Sequence, residues 1–237
     1  MLTVEELREN WGNVFNKTKE SAIACGRLPE DIKIIAVSKT HPLEFILKAM
    51  DAGMNTFGEN YAQEFRDKIA ELETRKISHP EWHYIGHLQR NKVKYIVPHA
   101  KMIHSVDSLK LATEIAKHAK NHGIVQDILL QVNTSGEASK FGCDPKEIFQ
   151  LCSDVKEIEN LQVLGLMTIG SFTGNEIIIR SEFSLLGNIR DELMNKLSGV
   201  DLKYLSMGMT GDYQIAIEEG ATHIRIGTAI FGKRDYS

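Results

Sequence analysis

Apolar residues along this chain recur in two periods. At the start, Leu7, Trp11, Val14, Phe15 and Ala22 follow helical spacing, Thr3 and Glu6 are placed as a capping box, and Gly26 and Pro29 act as stops. That pattern predicts one leading helix within residues 1–26. Beyond it, short apolar runs alternate with longer amphipathic segments. The runs are KIIAVS (33–38), NTFGE (55–59), WHYIGH (82–87), KMIHSV (101–106), QDILLQVN (126–133), LQVLGLMT (161–168), LKYLSMG (202–208) and THIRIG (222–227). Between them lie segments such as PLEFILKAMDAG, SLKLATEIAKHAKNHG and EFSLLGNIRDELMNKLSG, and Gly53, Gly123 and Gly220 stand as C-caps. Eight strand candidates, each followed by a helix candidate, predict the α/β class: a (β/α)8 TIM barrel with an extra N-terminal helix. A doubly wound open sheet is the alternative, and it fits less well because no glycine-rich nucleotide turn follows the first strand. No linker, low-complexity tract or charge run divides the chain, so residues 1–237 read as a single domain.

Composition narrows the function classes. With 42% hydrophobic and 25% charged residues, the chain is ordinary globular material with enough length for one large core. A net charge of −4 offers no basic field for nucleic acid or an anionic membrane. No apolar run reaches bilayer length, and the acidic, amphipathic N-terminus is unlike a signal peptide. Cys25, Cys143 and Cys152 are odd in number and form no CxxC pair, which argues for a reducing compartment. A soluble cytoplasmic protein is the expectation.

In a (β/α)8 barrel, functional groups stand at the C-terminal ends of the strands. The strand ends here supply Lys39, Asn60, His87, Ser105, Asn133, Met167, Ser206 and Arg225, a polar ring at the mouth of an apolar barrel. After the seventh and eighth strands, SMGMTGD and RIGTAIFG combine glycines with hydroxyls. Glycines allow close backbone approach and hydroxyls suit a phosphate dianion; tight turns alone are the plain alternative. Lys39 also has two readings: a solvated charge at a strand end, or an amine held for chemistry. With a phosphate across the mouth, a partly desolvated lysine is what a pyridoxal phosphate site requires, because its amine forms a Schiff base with the aldehyde. Arg225 lies two residues before Gly227, on the same face of the strand, which places it toward the cofactor ring. A guanidinium does not give up its proton, so it keeps a pyridine nitrogen unprotonated and makes the ring a poorer electron sink.

Other signals are weaker. His83 and His87 are four residues apart, about 13 Å on a strand, which is too far to share a metal. His118 and His122 sit in the last turn of a helix, where histidine suits the dipole. No metal site is assigned.

Taken together, AVSKTHP (36–42), FGENYAQE (57–64), WHYIGHLQRNK (82–92), HSVDSLKLA (104–112), LLQVNTSGEASKFG (129–142), GLMTI (165–169), LSMGMTGDYQIAI (205–217) and THIRIGTAIFG (222–232) resemble the pyridoxal phosphate homeostasis proteins. These are single-domain barrels related to the N-terminal domain of alanine racemase. The resemblance implies Lys39 as the Schiff-base lysine, Ser206, Gly227 and Thr228 as phosphate holders, and Arg225 near the pyridine nitrogen. It also implies Asn60, His87, Ser105 and Met167 as pocket lining. Two departures stand out: Thr210 occupies a position where serine is expected, and MTIGSFTGN lacks the proline-rich turn usual after the sixth strand.

The resemblance carries a functional expectation as well. The racemases add a second domain that supplies an opposite-face acid/base, whereas this sequence ends at Ser237, a few residues past its last barrel motif. Racemisation needs two proton-transfer groups, and Lys39 has no evident partner. The expected role is therefore a monomeric carrier or buffer of pyridoxal 5'-phosphate in vitamin B6 homeostasis, without catalytic residues, with apoenzymes that use the cofactor as recipients. The alternatives are a pyridoxal phosphate-dependent racemase or lyase and, more remotely, a phosphate-binding barrel enzyme. Lys140, in the loop after the fifth strand, is expected to be exposed, either as a solvated charge or as a second amine for the departing cofactor.

Overall fold

A computed structural model describes residues 2–232. The leading helix α1 (Val4–Ala24) is followed by β1 (Lys33–Val37), α2 (Leu43–Asp51), β2 (Thr56–Glu59), α3 (Ala62–Thr74), β3 (Glu81–Tyr84) and β4 (Met102–Val106). Then come α4 (Leu109–Asn121), β5 (Gln126–Gln131), α5 (Ile148–Val155), β6 (Leu161–Met167), α6 (Glu176–Lys196), β7 (Tyr204–Ser206), α7 (Tyr213–Glu218), β8 (His223–Ile226) and α8 (Thr228–Phe231). The eight strands pair in sequence order, all parallel, and close into a barrel. Seven fall within the runs expected from the sequence, and β3 begins one residue before its run. Parallel strands covered on both faces are apolar on both, which explains runs such as Ile34–Val37.

The helices follow from caps and stripes. In α1 the capping box forms: the Thr3 hydroxyl accepts from Glu6 N at 3.2 Å, and the Glu6 carboxylate accepts from Thr3 N at 2.7 Å. Gly53, Gly123 and Gly220 take φ values of +102°, +67° and +96°, as C-cap glycines do. One expected helix is different: the segment between β3 and β4 forms a 3-10 turn over Arg90–Tyr95. The apolar residues there, Val93, Ile96 and Val97, fall close together and Pro98 follows at once, leaving no room for an amphipathic stripe. At the other end α8 is a single turn, and α1 packs beside it and α7. Asn10 donates to Ile230 O at 2.9 Å, and Arg27 donates to Ile217 O at 2.8 Å. The extra helix thus covers barrel wall beside the shortest helix.

Alternation within the strands decides what reaches the barrel axis. Ile34 and Ala36 pack outward in the main core, so Ile35 and Val37 point inward. Gly58 on β2 makes room for them: a Cβ there would stand 2.7 Å from Ile35 Cγ2 and 2.9 Å from Ile85 Cδ1. Part of the axis is apolar, with Met102, Leu129 and Met167 in one cluster. The rest is polar, with His83, His104, Ser206, His223 and Arg225 all buried.

Candidate functional site

A cavity of about 590 Å³ opens at the C-terminal ends of the strands. Lys39, Asn60, Thr210, Arg225, Gly227 and Thr228 line it, with Ile85, Ile169 and Phe172 among its apolar walls.

Lys39 is delivered there by what holds its neighbours. The preceding Ser38 turns away from the cavity, and its hydroxyl donates to Glu59 Oε1 at 2.6 Å. Lys68, on the buried stripe of α3, donates to the same oxygen at 2.6 Å and to Ser38 O at 3.1 Å. Burial raises the Glu59 carboxyl above its ordinary value, while Lys68 and Ser38 oppose that shift. The following Thr40 adopts φ 67°, an uncommon conformation for a residue with a side chain, and its N–H donates to Glu64 Oε2 at 2.8 Å. The backbone on both sides of Lys39 is therefore tied down.

Arg225 reaches the cavity from the other side of the β1–β8 seam. It donates to Ser206 Oγ at 2.8 Å and to Thr168 O at 2.8 Å. Burial lowers its pKa to about 10, which leaves it a guanidinium at neutral pH. Asp212, also lining the cavity, accepts from Met209 N at 2.5 Å, so its carboxylate is engaged by the loop after β7. In that loop Gly208 takes φ +91°, and a Cβ there would stand 2.6 Å from Ala216 Cβ. Only glycine lets the turn lie against α7. Thr210 Oγ1 accepts from Ala229 N at 3.4 Å, bringing the loop after β7 to the turn after β8. Two hydroxyls, Thr210 and Thr228, thus face the cavity from adjacent loops.

Of the residues expected from the sequence, Lys39, Asn60, Arg225, Gly227 and Thr228 meet at this cavity. The others stand elsewhere. His87 is in the loop beyond β3, exposed, with its ring stacked on Phe141 at 3.7 Å, and it borders a smaller cavity shared with Asn60. Ser105, Met167 and Ser206 are fully buried and do not line the main cavity. Met167 packs on Met102 and Leu129, and Ser206 lies beneath Arg225. Lys140 is not the exposed lysine expected: its side chain is 12% exposed and donates to Glu137 at 2.6 Å and to Gly170 O at 3.1 Å. Among the described residues no group of three or more His, Cys, Asp or Glu is placed to hold a metal.

Comparison with known proteins shows the family and the fold. The family described as alanine racemase, N-terminal domain, matches residues 19–235. A pyridoxal phosphate homeostasis protein of Aquifex aeolicus is 42% identical over 96% of this chain and 98% of its own length. The chain belongs to the pyridoxal phosphate homeostasis protein family. The human member is 40% identical over 94% of this chain and 85% of its own length. Among solved structures, PipY of Synechococcus elongatus, determined with pyridoxal phosphate bound, superposes with a TM-score of 0.83. It is 32% identical and covers 95% of this chain and all of its own. The fold shared with that structure is the closed parallel barrel described above. No helix among the described residues is long and apolar enough to cross a membrane.

Proposed function

We propose that this chain holds pyridoxal 5'-phosphate at the C-terminal mouth and serves cytoplasmic cofactor homeostasis as a carrier or buffer rather than as a catalyst. The observation that carries this reading is the meeting of Lys39, Arg225 and the Thr210 and Thr228 hydroxyls around one cavity. The cavity fits such a group on its own chemistry. It presents an amine, a buried cation, hydroxyls that include those of Thr210 and Thr228, and Asn60, whose Oδ1 is buried without a partner. When bound, the cofactor supplies an aldehyde that condenses reversibly with a primary amine.

The protein's own groups then have separate tasks. Lys39 presents the amine at a strand end fixed from behind by Glu59 and Lys68. Thr210, Gly227 and Thr228 would offer donors to a phosphate, and Ile85 and Ile169 give the cavity apolar wall. Arg225 stays protonated and so withholds a proton from a ring nitrogen facing it. Beside Lys39 and Arg225, Asp212 is the one other titratable group among the described lining residues, and it accepts from Met209 N. That arrangement favours a carrier, since racemisation needs a second proton-transfer group.

The test is amino-acid α-proton exchange in deuterated water with the cofactor-loaded protein, run beside transfer of the cofactor to an apoenzyme. The expected result is transfer without Lys39-dependent exchange. Steady, Lys39-dependent exchange would replace the carrier with a racemase or lyase.

A further inference from the structure

The polar part of the barrel axis is a continuous chain. Glu81 Oε1 stands 3.0 Å from His83 Nε2, and His83 Nδ1 stands 2.8 Å from His104 Nε2. His104 Nδ1 is 2.8 Å from Ser206 Oγ, to which Arg225 donates at 2.8 Å. The chain runs from a partly exposed carboxylate at the N-terminal mouth, through two buried rings, to the guanidinium in the wall of the C-terminal cavity.

With neutral rings, one arrangement of protons satisfies every contact. The carboxylate only accepts, so His83 carries its proton on Nε2. His83 Nδ1 then accepts from His104 Nε2, which leaves His104 Nδ1 to accept from the Ser206 hydroxyl. Ser206 keeps its lone pairs for Arg225, which only donates. The direction demanded by the carboxylate at one end is the direction demanded by the guanidinium at the other. Burial disfavours the charged form of both rings, consistent with neutral histidines. His223 lies beside the chain, with its Nδ1 3.0 Å from Thr222 Oγ1, and is not a link in it.

We propose that His104 is a positioning residue that, through Ser206, fixes the Arg225 guanidinium in the cavity wall, with Glu81 and His83 setting the tautomer it must adopt. The consequence for cofactor retention rests on the function proposed above; the tautomers do not.

Nitrogen-15 NMR of the histidine side chains of the cofactor-free protein reads the chain directly. The expected result is the Nε2–H tautomer at both His83 and His104 at neutral pH. An Nδ1–H tautomer or a doubly protonated ring at either position overturns the proposal. The second arm is the rate of pyridoxal phosphate release from the wild type, His104→Leu and His104→Asn. His104→Leu leaves the Ser206 hydroxyl without its acceptor, and release should be about tenfold faster. In His104→Asn the side-chain oxygen can take the place of Nδ1, and release should return to within about twofold of the wild type. A packing role gives the opposite order, because leucine fills an apolar site better than asparagine. That order, or equal rates in all three, overturns the proposal. A wild type that binds no pyridoxal phosphate while showing the assigned tautomers overturns the cofactor reading and the retention role, and leaves the chain itself standing.

Discussion

The two mouths of the barrel enclose cavities of the same size, about 590 Å³ each, and differ in what their charged groups face. At the N-terminal mouth Lys33 pairs with Glu81 at 2.7 Å and Lys101 with Asp127 at 3.2 Å. Its lining balances Arg27, Lys33, Lys101 and Lys203 against Glu30, Asp31, Glu81 and Asp127. The described lining of the C-terminal mouth carries Lys39, Arg225 and Asp212, and that carboxylate accepts from Met209 N. Volume does not distinguish a binding site from a closed-off barrel end; charge balance does. An excess of positive charge against apolar walls favours an anion. Groups at strand starts, by contrast, serve stability in this fold.

The comparison can be broken at its support, its interior, its cation and its control. Lys68→Ala has the largest expected effect, since it leaves Glu59 buried without its partner under the C-terminal mouth. Denaturant unfolding should lose about 3–5 kcal/mol; a loss below about 1 kcal/mol would mean the pair does not hold the strand end. Acid comes next. Burial lowers His83 and His104, and lowers His223 to about 3, so the folded state refuses protons that the unfolded chain takes up. Their contribution is complete above about pH 6.5 and is lost as the pH falls from there toward about 3. His223 alone lowers stability by about 1.4 kcal/mol at one pH unit below its unfolded value, and a flat stability profile from pH 7 to 5 would contradict this.

Arg225→Gln should weaken pyridoxal phosphate retention about a hundredfold by equilibrium dialysis, as expected for removing a charged donor from a desolvated site. Unchanged retention would remove the charge argument for that mouth. Lys101→Gln is the control at the other mouth. It breaks a pair whose lysine is largely exposed, so stability should change by less than about 1 kcal/mol and retention not at all.

Much of this was legible in the sequence, for identifiable reasons. Strands covered on both faces have to be apolar on both, so all eight runs announced themselves. Strand ends and glycine turns then placed Lys39, Arg225, Gly227 and Thr228 at one mouth. Depth was harder to read. Period-two alternation says that Ser206 and Met167 point inward, but not that they lie below the cavity instead of in its wall. The expected strand through His87 ends at Tyr84, which releases that histidine to the surface. Two signals went unread. Lys68 stands between Phe65 and Leu72 on the buried stripe of α3, where a lysine needs a buried partner. His104 alternates with Met102, and His223 with Arg225, which turns all four toward the axis.

The most direct test of the account is the visible spectrum of the protein with pyridoxal phosphate, before and after borohydride reduction, with peptide mass mapping and Lys39→Ala as control. A reducible adduct located on Lys39, and lost in Lys39→Ala, is the predicted result. No adduct in the wild type, or one that maps to another lysine and survives in Lys39→Ala, would contradict it.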